Sequence, residues 1–273
     1  MAKTKVLITV KTYPTISSIY EEIVCTAGFL EDGRWIRIYP IQFRQKSYGE
    51  QYKKYDWIEL DLIKNNKDSR PESYRPYSID SEIKILGHID TKDYWAERKK
   101  FVLQKVYHNL TELITEAHDK TICTSLAVFK PKRILDFTIE AVEREWDKTK
   151  LEKLEAEQEQ GDLFKQPENP FEVVRKLPYK FSYDFVDEDD KRSRLMIEDW
   201  EIGQLYWNCL ARYEGDESKA CDDVCKKYFD DFAKTKDLHL FLGTSIEYHF
   251  RSKNPFMIIG TFHPKKDLQG SLF

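Results

Sequence analysis

The chain is 273 residues long, 41% apolar, 34% charged and 14% aromatic, with a formal net charge of −4. That is enough for one large domain or two modest ones, each with a core of its own, and the near-balanced charge does not by itself mark a nucleic-acid binder. No apolar run approaches the length that spans a bilayer. The start Met1-Ala2-Lys3-Thr4-Lys5 leads into a strand pattern instead of a signal peptide, so a cytoplasmic protein is expected.

Five cysteines, an odd number spread over Cys25, Cys123, Cys209, Cys221 and Cys225, argue against a secreted disulfide framework and read as reduced thiols. With only ten glycines there is no glycine-rich phosphate loop, which argues against a P-loop ATPase or a Rossmann enzyme. Residues 1–141 hold 23 Lys or Arg against 20 Asp or Glu, while residues 142–273 hold 21 against 28. The N-terminal half is therefore the better candidate for contacting phosphate.

In chain order, Val6 to Val10 and Ile23 to Phe29 are apolar, β-branched runs that read as strands, and Asp32-Gly33 turns the second into Arg34 to Tyr39. Trp57 to Ile63 is a further strand. The prolines of Asp68 to Pro76 predict a loop there, and Glu82 to Ile89 adds another strand. Tyr94, Phe101, Val102, Val106 and Leu110 recur at helical spacing, with Leu113 and Ile114 on the same face. Ile122 to Phe129 and Ile134 to Ile139 return to strand character. Glu143 to Gln160 is charged, with Trp146, Leu151 and Leu154 as sparse anchors, and predicts an exposed helix.

Tyr179 to Phe185 alternates sharply, and Asp187-Glu188-Asp189-Asp190 turns it into Arg194 to Ile197 as a second hairpin. Helices over Asp199 to Arg212 and Ser218 to Ala233, and strands at Leu238 to Leu242 and Phe256 to Phe262, complete the pattern. The expected fold is α+β. A mainly β module, for which a barrel is one arrangement, spans 1–141; a charged helix and linker span 142–170, an α+β module 171–264, and a tail 265–273.

Period two on Arg34 to Tyr39 places Trp35, Arg37 and Tyr39 on one side. Flat rings stack on bases while Arg and Lys neutralise phosphate, as on the faces of OB-type barrels. On that ground Trp35, Arg37, Tyr39, Arg44, Lys53, Lys54, Arg70 and Arg75 are the candidate nucleic-acid-binding residues. A metal-dependent nuclease would gather carboxylates around divalent ions with a Lys nearby. Asp80, Glu82 and Lys84 form one such fragment, loosely similar to part of the restriction-endonuclease core; Glu59, Asp61 and Lys64 form another. Cys221 and Cys225 share a helix face, with Cys209 one helix earlier, and suit either a buried apolar role or, with a His such as His239, a metal. Asp199-Trp200-Glu201 reads as a helix start, with Asp199 as the cap.

One short peptide occurs twice: Gln160-Gly161-Asp162-Leu163-Phe164 inside the chain, and Gln269-Gly270-Ser271-Leu272-Phe273 as its last five residues. Both resemble the pentapeptide by which bacterial replication and repair proteins bind the β sliding clamp, with Gln160 or Gln269 fixing register and Leu163-Phe164 or Leu272-Phe273 as apolar anchors. The resemblance covers these ten residues only. It implies a partner, the β clamp, and a DNA-associated setting in bacteria or phage. The expected function is a DNA-metabolism or genome-defence accessory that docks on the clamp and contacts nucleic acid. The rivals are a metal-dependent DNA nuclease delivered by the same peptides and a nucleic-acid or modified-base sensor without catalysis.

Overall fold

The structure, a computed structural model, describes residues 3–17, 21–149, 151–152 and 173–266. It is an α+β protein whose N-terminal part is mainly β. Eight strands form one sheet: β1 (Thr4–Lys11), β2 (Thr15–Ser17), β3 (Glu21–Phe29), β4 (Trp35–Ile41), β5 (Asp56–Leu60), β6 (Leu62–Lys64), β7 (Ser73–Pro76) and β8 (Lys84–His88). Their order is β6-β7-β4-β3-β1-β5-β8, with β2 beside β3, and the sheet curves into a half-barrel. Helix α1 (Lys92–Val102) closes this part.

The later part holds β9 (Val106–Tyr107), α2 (Leu110–His118), β10 (Leu126–Phe129), β11 (Arg133–Ala141), β12 (Tyr179–Val186), β13 (Arg192–Met196), α3 (Trp200–Arg212), α4 (Glu217–Cys225), β14 (His239–Thr244) and β15 (Phe256–Phe262). A wider π turn over Lys226–Ala233 continues α4. The strands make two sheets, β15-β14-β10-β9 and β11-β12-β13.

Most expected strands and helices are present. The segment 68–76, expected to be a loop throughout, instead supplies β7, which runs parallel to β4 through Arg37↔Ser73 and Ile38↔Tyr74. Pro71 lies before that strand and Pro76 at its end, the positions where a missing N–H does least harm. Strands β10 and β11 pair with β14 and β12, so a division after residue 141 would cut two sheets; the sheets instead separate near residue 105. Lys265, expected to begin a tail, still pairs with Lys236. Of the helix expected over 143–160 only the start is described, where Leu151 N–H donates to Asp147 O (3.1 Å). Both clamp-like pentapeptides lie outside the described residues.

Three apolar clusters hold the molecule. One fills the half-barrel (Val6, Ile8, Ile36, Ile58, Leu60) and one fills the later part (Phe129, Phe181, Tyr183, Tyr206, Leu240). The third lies between them, where Val10, Phe29, Tyr55 and Val102 meet Leu126, Val128, Phe241 and Phe262.

Strand β1 serves two of these cores because it changes face. Val6 and Ile8 point into the half-barrel, but pairing with β3 slips between Ile8 and Val10, which sends Val10 into the middle cluster. A β-bulge does this by inserting one residue and reversing the alternation beyond it. Lys11 is thereby returned to the half-barrel side, beside Phe43 and Tyr52. Gly28, paired with Ile8, makes the approach possible: a Cβ there would lie 1.9 Å from the Leu7 carbonyl oxygen.

Candidate nucleic-acid interface

The basic residues expected to bind nucleic acid divide into two groups. Arg37 and Arg70 are buried, with 2% and 4% exposure. The Arg37 guanidinium donates to Ser125 Oγ (2.8 Å), Ser125 O (3.1 Å) and Thr244 O (3.4 Å), and lies 3.7 Å from Glu72. Arg70 makes a forked contact to Asp68 (2.8 and 2.6 Å) and also donates to Thr244 O. Burial alone would raise the Asp68 carboxyl, but Arg70 holds it down to about 2.

These two arginines tie the half-barrel to the later sheet. Their donors are taken up inside the protein, which corrects their assignment to a nucleic-acid surface. Trp35 is half-buried: its ring packs 4.1 Å from Phe29 and 5.8 Å from Phe241 against the middle cluster, and it also lines a separate hollow with Arg34 and Lys105. Period two gave the right face, but at Arg37 that face meets protein. Tyr39 and Arg75 are exposed, on the neighbouring strands β4 and β7.

The nuclease fragment is not assembled into a site. Asp80 is exposed in the turn before β8, Glu82 lies 4.0 Å from Lys3, and Lys84 is exposed at the start of the edge strand. Among the described residues no three His, Cys, Asp or Glu side chains are placed to share a metal ion. Cys209, Cys221 and Cys225 pack in or against the later core, and burial pushes the Cys221 thiol up to about 11.

A different set of side chains converges at the seam between the two parts. Three adjoining hollows of about 660, 650 and 640 Å³ meet at Trp200, the first residue of α3. Among the described residues their linings hold six Lys or Arg (Lys11, Arg44, Lys53, Lys54, Arg98, Arg175) against two acids, Asp56 and Glu201. Trp95, Trp200 and Trp207 line the same groove, each half-buried, and Tyr48 stands at its edge with 93% exposure. Rings with one face packed and one face open can stack on flat ligands.

Several interactions fix this geometry. Lys54 reaches across the seam to Asp199 (2.7 and 2.8 Å) and Glu201 (3.0 Å). Burial would lower the Lys54 ammonium, but the two carboxylates outweigh it and raise it. Asp199 also caps α3 by accepting from Glu201 N–H at 3.2 Å. Lys54 is thus a third tie, at 9% exposure, although it borders the groove. Gly203 lets α3 come close to the half-barrel, since a Cβ there would lie 2.2 Å from the Tyr13 ring. The Tyr13 hydroxyl donates to Arg175 O and accepts from the Trp207 indole N–H, both at 2.7 Å. The Arg175 guanidinium lies 4.0 Å over the Trp207 ring.

Trp95 is set by unusual backbone. Asp93, Tyr94 and Trp95 have φ of 46°, 53° and 67° in succession, a left-handed turn that L-residues adopt at roughly 1–2 kcal/mol each. It places the Trp95 ring edge-on to Phe262 (5.3 Å) and His263 (5.2 Å), with Arg98 at 4.9 Å. His263 is held neutral, its imidazole lowered to about 4 by burial. On the opposite wall His88 Nδ1 lies 2.7 Å from Asp56.

Of the residues expected from sequence, Arg44 and Lys53 line this groove and Lys54 braces it. Lys11, Trp95, Arg98, Arg175, Trp200 and Trp207 were missed. Trp200 and Trp207 lie seven apart on α3, a same-face helical spacing that could have flagged them, but the others come from stretches scattered between residues 11 and 175, and no spacing rule connects them to that face.

No curated protein matches the chain in sequence. Two solved structures resemble it at a low level. One is described as murine DNA binding protein bound with ds DNA (TM-score 0.32, 10% identity, 98% of this chain and 97% of that one). The other is a Replication Protein A heterotrimer bound to ssDNA (TM-score 0.23, 8% identity, 99% of this chain and 66% of that one). Residues 2–104 match the model described as a domain of unknown function (DUF8758), and the match ends where the sheets separate. Residues 106–273, more than half of the chain, match the model described as a domain of unknown function (DUF8757), and the chain belongs to that family.

Proposed function

We propose that the protein binds single-stranded nucleic acid along the groove at the seam of its two parts. The observation that carries this reading is the meeting of three hollows at Trp200, lined by six cations, two acids and three half-open tryptophans. Cations hold the phosphate backbone without regard to sequence, while open ring faces take up unpaired bases. A duplex keeps its bases stacked on one another, so the rings favour a single strand.

The test is photo-crosslinking of the full chain to a thymidine oligonucleotide substituted with 5-bromouracil, followed by peptide mapping. Adducts on Trp95, Trp200 or Tyr48 are expected; adducts confined to the Tyr39 and Arg75 face would contradict the reading.

The two pentapeptides add a partner to this reading. A nucleic-acid binder that docks on the β clamp through Leu163-Phe164 and Leu272-Phe273 would act in the cytoplasm as a DNA-metabolism or genome-defence accessory. Two weak peptides on one chain could engage equivalent pockets of a ring, and avidity would strengthen docking. Calorimetry against a β clamp tests it: the four residues changed to Ala together should abolish binding; undiminished binding in that variant would remove the pentapeptides as the docking site, and no binding by the unaltered chain would remove the clamp.

A further inference from the structure

Lys11 differs from every other cation of the groove. It is 8% exposed, at the end of β1, and it borders two of the three hollows. Its ammonium has three protons to donate. Among the described residues it has one hydrogen-bond acceptor, Tyr52 O, at the long distance of 3.5 Å, and no carboxylate within ion-pairing reach. The rest of its surroundings are ring faces, Phe43 at 4.0 Å and Trp200 at 4.6 Å to the centroids. The neighbouring carboxylates are engaged elsewhere, Asp199 and Glu201 with Lys54 and Asp56 with His88.

A buried cation without its acceptors is an unfavourable arrangement unless an anion completes it. The bulge in β1 is what turns Lys11 to this position, so the arrangement is built into the sheet. Resting on the nucleic-acid reading above, we infer that Lys11 is the seat of one phosphate of the bound strand, which meets the ammonium from the hollows that Lys11 borders. The base next to that phosphate then stacks on Trp200. Lys53, exposed at the mouth of the same two hollows, stands where the adjoining phosphate would pass. Burial and the nearby Lys54 lower the Lys11 ammonium to about 8, and a seated phosphate reverses that shift by supplying the missing counter-charge.

The experiment has two arms on the full chain. In the first, affinity for a fluorescein-labelled thymidine oligomer is measured against salt for wild type, Lys11→Gln and Lys11→Arg. A single-strand phosphate contact contributes about 0.7 to the slope of log affinity against log salt. Lys11→Gln is expected to lower the slope by about that amount and Lys11→Arg to keep it; an unchanged slope in Lys11→Gln, with Trp200→Ala still weakening binding, overturns the inference and leaves the groove reading intact. In the second arm the probe is inorganic phosphate, and the readout is reductive methylation of Lys11 across pH, located by mass spectrometry. Phosphate is expected to protect Lys11 and to move its titration upward. If that holds while no oligomer binds, the anion site stands and the nucleic-acid reading falls. If phosphate leaves Lys11 unprotected and the slope does not change, the site is absent.

Discussion

Among the described residues, buried positive charge gathers around Arg37 and Arg70 and around Trp200, and the two places differ in what surrounds them. Around Arg37 and Arg70 the donors meet Ser125, Thr244, Asp68 and Glu72, so the cations are used up in joining the two parts. Around Trp200 the Lys11 ammonium has ring faces, one distant carbonyl and open space. Both look alike in sequence as basic residues near aromatics. The two differ in whether acceptors within the fold satisfy the cation, which no residue pattern reveals.

The largest effect that could break this contrast is on stability. Arg37→Ala removes the counter-charge of Glu72 and leaves the Ser125 and Thr244 acceptors short of a donor in the interior, and is expected to destabilise folding by about 3–5 kcal/mol, read from urea denaturation. A loss under 1 kcal/mol would mean that the arginine cluster is not a tie.

Next comes a group at the seam whose charge opposes folding. Burial pushes the Glu198 carboxyl up to about 7 from 4.5. Its contribution to stability is therefore full below pH 4.5 and lost as pH rises through 7, by at most about 3 kcal/mol. Glu198→Gln should match wild type near pH 4.5 and exceed it at pH 8. Equal denaturation midpoints at pH 8 would show that the carboxyl is well solvated.

A smaller effect is expected on binding. Trp200→Ala removes one stacking face, worth about 1–3 kcal/mol, or roughly 5- to 150-fold in affinity, with little change in the denaturation midpoint of a half-buried ring. The smallest effects belong to the exposed positions: Glu82→Ala and Lys84→Ala should each change stability by less than about 0.5 kcal/mol and leave oligomer binding as it was.

Much of the fold was legible in the sequence because local rules govern it. Alternation in Tyr179–Val186 and the Asp32-Gly33 turn gave hairpins, and Asp199 gave the start of α3. Strand β7 was missed because its parallel pairing to β4 is a tertiary event that the flanking prolines obscure. The placement of β10 and β11 in the later sheets was missed for the same reason: pairing with strands distant along the chain leaves no periodic trace.

The site was less legible. Arg44 and Lys53 were found by residue type, but Arg37 followed from a period-two argument that identified the face and could not say what that face meets. Lys11 was hidden by the bulge, since strict alternation would have set it with Leu7 and Thr9 instead of with Phe43 and Tyr52. Trp200 and Trp207 share a face of α3, and only the packing of the two parts brings Trp95 to that groove.

The most direct test of the groove is a titration of the full chain with an unlabelled thymidine oligomer at several salt concentrations, following tryptophan fluorescence, with Trp95→Ala and Trp200→Ala alongside. The account predicts quenching whose midpoint moves to higher oligomer concentration as salt rises, and weaker binding in both variants. Absence of quenching, or binding of equal strength in wild type and both variants, would contradict it.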